Sequence, residues 1–253
     1  MEDNVEKKGK VNIVAIIVVI IFLAIFIVSS IKVMKYLNDN ISNSDIMADL
    51  SEDILVSNEV KEDNVEESYK IDFDSLKEKN PDTVGFIKVN GTGVSFVVVQ
   101  GKDNDYYLHH NFNKEANSAG WIFLDYRNKL DGNDKNTIIY GHNMRTDTMF
   151  GTLTRILSDE WIYNMDNRIV TFVTEKGTSY YKVFSVYQIE DEAYYITTDF
   201  KEDKDFEKYL DTIKKRSKYD FKEEVDTSDQ VLTLSTCANN SAYRIVLHAK
   251  KIK

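Results

Sequence analysis

Gln230-Val231-Leu232-Thr233-Leu234-Ser235-Thr236-Cys237 ends on the only cysteine in 253 residues. Val231, Thr233 and Ser235 alternate with Leu232, Leu234 and Thr236, and β-branched residues recur throughout, so the run reads as a β-strand. Ala238 to Ala242 reads as a turn, and Tyr243-Arg244-Ile245-Val246-Leu247-His248-Ala249 as a second strand. Two strands joined by so short a turn pair antiparallel, which brings Cys237 near Arg244. A lone strand cysteine is more often a small buried hydrophobe than a reactive group. The position of Cys237 favours reactivity, because it follows Ser-Thr and precedes a polar loop. A thiolate attacks far better than a thiol, and a nearby guanidinium helps it form.

A nucleophile needs a base or acid, and the chain offers four histidines. His248 lies inside the last strand, and His109 and His110 lie in a polar loop. His142 follows Asn136-Thr137-Ile138-Ile139-Tyr140-Gly141, a short apolar strand, and opens the loop Asn143-Met144-Arg145. Like Cys237 it sits where a strand stops, and groups at strand ends converge over the mouth of a sheet or barrel. His142 is therefore the candidate partner, with a plain surface histidine as the alternative.

Taken in order, the chain begins with a charged stretch, residues 1–10, that carries Lys7, Lys8 and Lys10. Val11 to Val28 is apolar apart from Asn12, shows no polar face, and ends without a small-x-small cleavage site. Residues 11–31 are expected to be an uncleaved, single-pass transmembrane signal anchor, with the N-terminus cytoplasmic and the remainder extracytoplasmic. Lys32 and Lys35 on the far side oppose that orientation. Residues 32–70 are acidic and polar and are expected to be a spacer. It is partly helical where Ile46, Leu50 and Ile54 recur at spacing four. From residue 71 the pattern is a short helix ended by Asn80-Pro81, then strands and turns. Asn90-Gly91-Thr92-Gly93 and Glu175-Lys176-Gly177 mark hairpins, and Thr148 to Leu157 reads as a short helix. Phe206, Tyr209, Leu210 and Ile213 mark an amphipathic helix over residues 203–217. Many short strands with turn signals indicate a closed barrel or a sandwich.

The net charge of −10 argues against nucleic-acid binding, which needs basic patches to neutralise phosphate. One cysteine excludes an internal disulfide. No CxxC, HExxH or Gly-rich phosphate loop is present, so no metal or other cofactor is expected.

Thr233-Leu234-Ser235-Thr236-Cys237, Arg244 seven residues on, and Tyr140-Gly141-His142-Asn143 upstream together resemble the sortase signature. Asn80 to Ile87, Asp103 to Leu108, Met149 to Leu153 and His248-Ala249-Lys250 resemble class B sortases in particular. The resemblance covers about residues 71–253 and implies a mainly β catalytic domain with peripheral helices, an eight-stranded β-barrel. It implies a cysteine transpeptidase of Gram-positive bacteria that cuts surface proteins at a C-terminal sorting signal and joins them to an amine of a lipid-linked peptidoglycan precursor. Cys237 would attack the carbonyl of the signal's Thr, His142 would move protons, and Arg244 would hold the oxyanion or the peptide backbone. Asn104, Leu108, Tyr140 and Ser235 match positions that contact the sorting peptide, and Tyr195 and Ile196 fall on the specificity wall. Ordinary barrel packing is the alternative for these six. Ala238 replaces an acidic residue found in some class B members, and Val97 a common proline. Two rival activities stay open: a membrane-tethered cysteine hydrolase, in which water replaces the amine, and a non-catalytic surface domain.

Overall fold

The computed structural model describes residues 13–56, 69–190, 192–237 and 243–253. The expected turn at 238–242, the charged residues 1–10 and the acidic stretch 57–68 lie outside the described residues. The elements run α1 (Ile13–Leu50), β1 (Ile54–Val56), β2 (Tyr69–Ile71), α2 (Phe73–Lys79), β3 (Thr83–Val89) and β4 (Ser95–Val99). There follow β5 (Phe123–Leu124), β6 (Asn136–His142), α3 (Asp159–Tyr163), β7 (Ile169–Thr174), β8 (Gly177–Glu190), α4 (Asp203–Arg216), β9 (Val231–Cys237) and β10 (Tyr243–Lys251). Eight strands close into a barrel in the order β10-β8-β7-β3-β4-β5-β6-β9, while β1 and β2 form a separate antiparallel pair. The barrel, not the sandwich, is thus the outcome of the two architectures that the strand pattern allows. Closure removes the edges that so many short strands would otherwise expose. Neighbours are antiparallel except β4 with β5 and β6 with β9, which run parallel.

Strand β6 ends on His142, the strand end at which the sequence reading places it. One local reading changes. The helix read at Thr148–Leu157 is a 3₁₀ segment, Gly151–Leu157.

The chain divides into two units, residues 1–38 and 39–253. In the first, α1 is apolar on all sides; Ile13, Phe22 and Phe26 are each more than half exposed. Among the described residues it is the one helix long and apolar enough to cross a membrane, with mean hydropathy 3.3 over its best window. A signal sequence near the N-terminus meets the same test.

The second unit takes in the last turns of α1, which lie within the stretch read as a partly helical spacer. Asn40, Asn43 and Leu50 are buried. Asn43 Nδ2 donates to the Gly120 carbonyl at 2.8 Å, and Asn117 Nδ2 donates to Asn43 Oδ1 at 3.0 Å. Thr146 and Thr148 hydroxyls both donate to Asn40 Oδ1 at 2.6 Å. The recurrence at spacing four breaks after Leu50, because Ile54 already belongs to β1.

Helix α4 carries Asp203 and Asp205 in its first turn and Lys214, Lys215 and Arg216 in its last, which suits the helix dipole. Phe206, Tyr209, Leu210 and Ile213 pack on Phe184, Tyr187, Val231 and Val246. Burial of each such side chain contributes about 1.5–3 kcal/mol. Beneath the helix lies a polar chain with every donor assigned. Tyr194 donates to Tyr187 at 3.2 Å, and Tyr187 donates to His248 Nε2 at 2.8 Å. His248 Nδ1–H donates to Thr233 Oγ1 at 2.8 Å, and Thr233 donates to Asn136 Oδ1 at 2.6 Å. This network holds His248 neutral and fully buried, and burial depresses its pKa to about 3.

The unfolded chain protonates His248 near 6.5, whereas the folded chain does so only near 3. Its contribution to stability is therefore present above about pH 6.5 and is lost as pH falls towards 3, at about 1.4 kcal/mol per pH unit. Denaturant unfolding of His248→Gln across that range should show a shallower acid-side decline than wild type. An unchanged slope would assign the decline to other groups.

Candidate active site

The parallel pairing of β6 with β9 positions the reactive residues. Its register runs Asn136↔Val231, Tyr140↔Ser235 and finally His142↔Cys237, so the two strands end level with each other. On the other side of β9, Val246 of β10 faces Ser235. The same register carried two residues further sets Arg244 level with Cys237, and the Ile245 N–H donates to Thr236 Oγ1 at 2.9 Å. A cysteine, a histidine and an arginine from three adjacent strands thus meet at one end of the barrel.

Local sequence explains why β6 delivers His142 there. A Cβ on Gly141 would lie 2.4 Å from Ile122 Cδ1 and 2.8 Å from the Phe150 ring, so only glycine lets the strand pass. His142 is 6% exposed, and its Nε2 lies 2.8 Å from the Leu108 carbonyl. A carbonyl only accepts, so Nε2 carries the proton and Nδ1 keeps the lone pair. Nδ1 is buried and has no hydrogen-bond partner among the described residues. Burial lowers the histidine's pKa; the Leu108 hydrogen bond opposes this, and the nearby His109 adds a smaller lowering. The Leu108 carbonyl is itself held in place. Tyr106–Leu108 is a 3₁₀ turn capped by Asp103 Oδ1, which accepts the Tyr106 N–H at 2.8 Å. Gly120 packs behind it at φ +57°, where a Cβ would meet the Tyr107 carbonyl at 2.5 Å.

A groove of about 420 Å³ opens beside these residues. Its lining includes His142 and Arg244 and all six residues singled out for peptide contact: Asn104, Leu108, Tyr140, Tyr195, Ile196 and Ser235. Cys237 is fixed next to them by its backbone pairing with His142. The Tyr195 and Ser235 hydroxyls are 3.0 Å apart, which ties the wall to the cysteine strand. His110 is drawn elsewhere, its ring stacked on Tyr106, and His248 belongs to the polar chain under α4.

Sequence reasoning missed several contributors. Glu192, His109 and Thr236 also line the groove. Asp125 does not, but its carboxylate accepts from Asn104 Nδ2 and from the Tyr140 hydroxyl, both at 2.9 Å. Asp125-Tyr126-Arg127-Asn128 looks like an ordinary polar turn, and a buried aspartate in it has no sequence signature.

The arrangement is suited to covalent acyl transfer: a cysteine at a strand end, a level histidine whose Nδ1 has no partner among the described residues, and an arginine lining the same groove as that histidine. Comparison with known proteins points the same way. The sortase domain family model matches residues 87–252. Sortase B of Listeria monocytogenes is 36% identical over 238 residues, covering 92% of this chain and 94% of the relative. The crystal structure of Clostridium perfringens sortase B is 42% identical, with TM-score 0.67, over 71% of this chain and 99% of that one. A sortase B complexed with triglycine is 38% identical, with TM-score 0.68, over 72% of this chain and 85% of that one. The chain is therefore a cysteine transpeptidase of the sort that acts in surface-protein sorting. It belongs to the sortase family, in its class B.

Proposed function

We propose that this enzyme is a membrane-anchored transpeptidase that cuts a surface protein's C-terminal sorting signal after Thr and transfers the protein to a cell-wall precursor amine. The observation that carries this reading is the β6–β9 register, which sets His142 level with Cys237 beside a groove of about 420 Å³. The Cys237 thiolate adds to the Thr carbonyl; a C–S bond forms and the carbonyl electrons move to oxygen. Arg244, whose planar fork offers paired donors, stabilises that oxyanion or holds the adjacent peptide backbone. The proton that the Cys237 thiol gave up to become a thiolate is held on His142 Nδ1; collapse breaks the C–N bond, and Nδ1 passes that proton to the departing amine. The incoming amine then attacks the thioester and loses a proton to the same nitrogen. A C–N bond replaces the C–S bond and the thiolate is restored, so acyl energy passes to the product without ATP. Burial disfavours an isolated imidazolium at His142, so its charged form is best stabilised beside the thiolate. The two groups accordingly titrate as a pair.

Transfer to an amine rather than to water is supported by the family and by the relative solved with triglycine. The apolar N-terminal half of α1 is the proposed anchor, with residues 32–253 extracytoplasmic. The lysines at 7, 8 and 10 support that orientation.

Cys237→Ala should fold yet form no acyl-enzyme when wild-type-active peptides from a Thr-containing library are offered and the protein is weighed by mass spectrometry. With triglycine present, wild type should release peptide–glycine adducts in excess of hydrolysed peptide; hydrolysis alone would establish the hydrolase. A Cys237→Ala variant that still cleaves would refute the mechanism.

Arg244→Lys keeps the charge and loses the fork, so turnover should fall by roughly 10²–10³ with peptide binding less affected. Near wild-type turnover would reduce Arg244 to a generic cation.

Protease treatment of intact cells should remove the folded domain and leave the anchor. Protection of the domain, or a mature chain beginning near Ser30, would defeat the topology.

A further inference from the structure

Asp125 follows the two-residue strand β5, and its side chain is 0% exposed. A carboxylate so placed demands partners. Arg127 donates from Nε to Oδ1 at 2.8 Å and from Nη2 to Oδ2 at 2.7 Å, a bidentate fork. The Arg127 backbone N–H adds a bond to Oδ1 at 2.9 Å. Asn104 Nδ2 and the Tyr140 hydroxyl both donate to Oδ2 at 2.9 Å. Burial alone would raise the carboxyl's pKa, but these donors outweigh it and hold it below the ordinary carboxylate range.

The consequence for Asn104 is specific. An ionised carboxylate only accepts, so the amide must turn Nδ2 towards Asp125 and its oxygen away. That oxygen accepts the Tyr126 N–H at 3.1 Å. One N–H and one lone pair of Asn104 remain to face the groove, in one orientation rather than two. Tyr140 is fixed by the same oxygen. Arg127 extends the connection, because Nη2 also donates to the Ile196 carbonyl at 2.9 Å. One buried carboxylate therefore joins three parts of the lining that are far apart in sequence: the Asn104 loop, strand β6 and the Ile196 wall.

We propose that Asp125 is the positioning residue of the peptide groove: it sets the polarity of the Asn104 amide, fixes the Tyr140 hydroxyl and, through Arg127, holds the Ile196 wall where a peptide binds. The proposal rests on reading the groove as the sorting-peptide site. Asp125 itself touches no reacting atom.

The test uses full-length protein in detergent and the pentapeptide that wild type cleaves best from a Thr-containing library. Asp125→Asn keeps the size but loses the charge and allows the Asn104 amide to flip. Its KM should rise about tenfold while kcat stays within about threefold, because the lost hydrogen bonds act on binding. In an Asn104→Ala background the same change should raise KM by much less, since the two act as one unit. An unchanged KM, a fall in kcat alone, or fully additive effects would overturn the proposal. Arg127→Gln supplies a second reading that needs no peptide. Hydrogen exchange across residues 193–197 should quicken at least severalfold relative to the rest of the barrel; equal protection would overturn the coupling. Failure of wild type to cleave any library member would sink the functional reading, and the exchange measurement would still decide the positioning claim.

Discussion

Everything at this site depends on the parallel contact between β6 and β9. Antiparallel neighbours can be joined by a tight turn, but parallel neighbours need a long crossover. Here the crossover contains α3, β7, β8 and α4, so two of the eight barrel strands lie between the histidine and the cysteine in sequence. The constraint also has a benefit, because two level strand ends present their last residues side by side. The strands behind these ends are held by ladders on both sides.

The polar groups buried around this contact are each confined to one state by what faces them. Leu108's carbonyl assigns the proton of His142 to Nε2. Thr233 and Tyr187 assign that of His248 to Nδ1. Asp125 assigns the orientation of Asn104. Buried polar networks are costly when partly satisfied and specifying when complete. The contrast between the two histidines is instructive. His248 has a partner on both ring nitrogens and is a structural member, whereas Nδ1 of His142 has no hydrogen-bond partner among the described residues. Burial lowers the pKa of both, so depression alone does not distinguish the proposed catalytic histidine from the structural one.

Much of this was legible in sequence because the informative signals were local. The β9 pattern, its terminal cysteine and the strand ending at His142 could be read from runs of fewer than ten residues, as could the apolar face of α4. The six groove residues were reached by resemblance, not by pattern. Two things were not legible. Asp125 acts through Asn104, Tyr140 and Arg127, and nothing in a polar turn reveals that its carboxylate is buried. The end of α1 was read as spacer because Asn40 and Asn43 carry no apolar periodicity. Their burial depends on amide hydrogen bonds to Gly120, Asn117, Thr146 and Thr148, residues remote in sequence. In both cases the missing information is the identity of a distant polar partner, which hydrophobic periodicity does not encode.

The wall at Tyr194–Ile196 shows how such polar contacts bear on selectivity. It is a single 3₁₀ turn in a connection, a place where mobility is the usual expectation. Here its backbone is tied at three consecutive residues: the Tyr195 carbonyl accepts from Tyr209, the Ile196 carbonyl from Arg127 and the Thr197 carbonyl from Asn136. The Tyr195 hydroxyl adds a fourth link, to Ser235. These anchors come from α4, the Asp125 turn, β6 and β9, so the turn is braced from four directions. On the proposed reading of the groove as the peptide site, a wall held in this way incurs little ordering cost when a peptide binds. On that reading, discrimination between peptides falls to the shape and polarity of the side chains the turn presents, rather than to how far the backbone closes. It follows that sequence change at the wall can alter which peptide is accepted while leaving the register of His142 and Cys237, set by a different pair of strands, untouched.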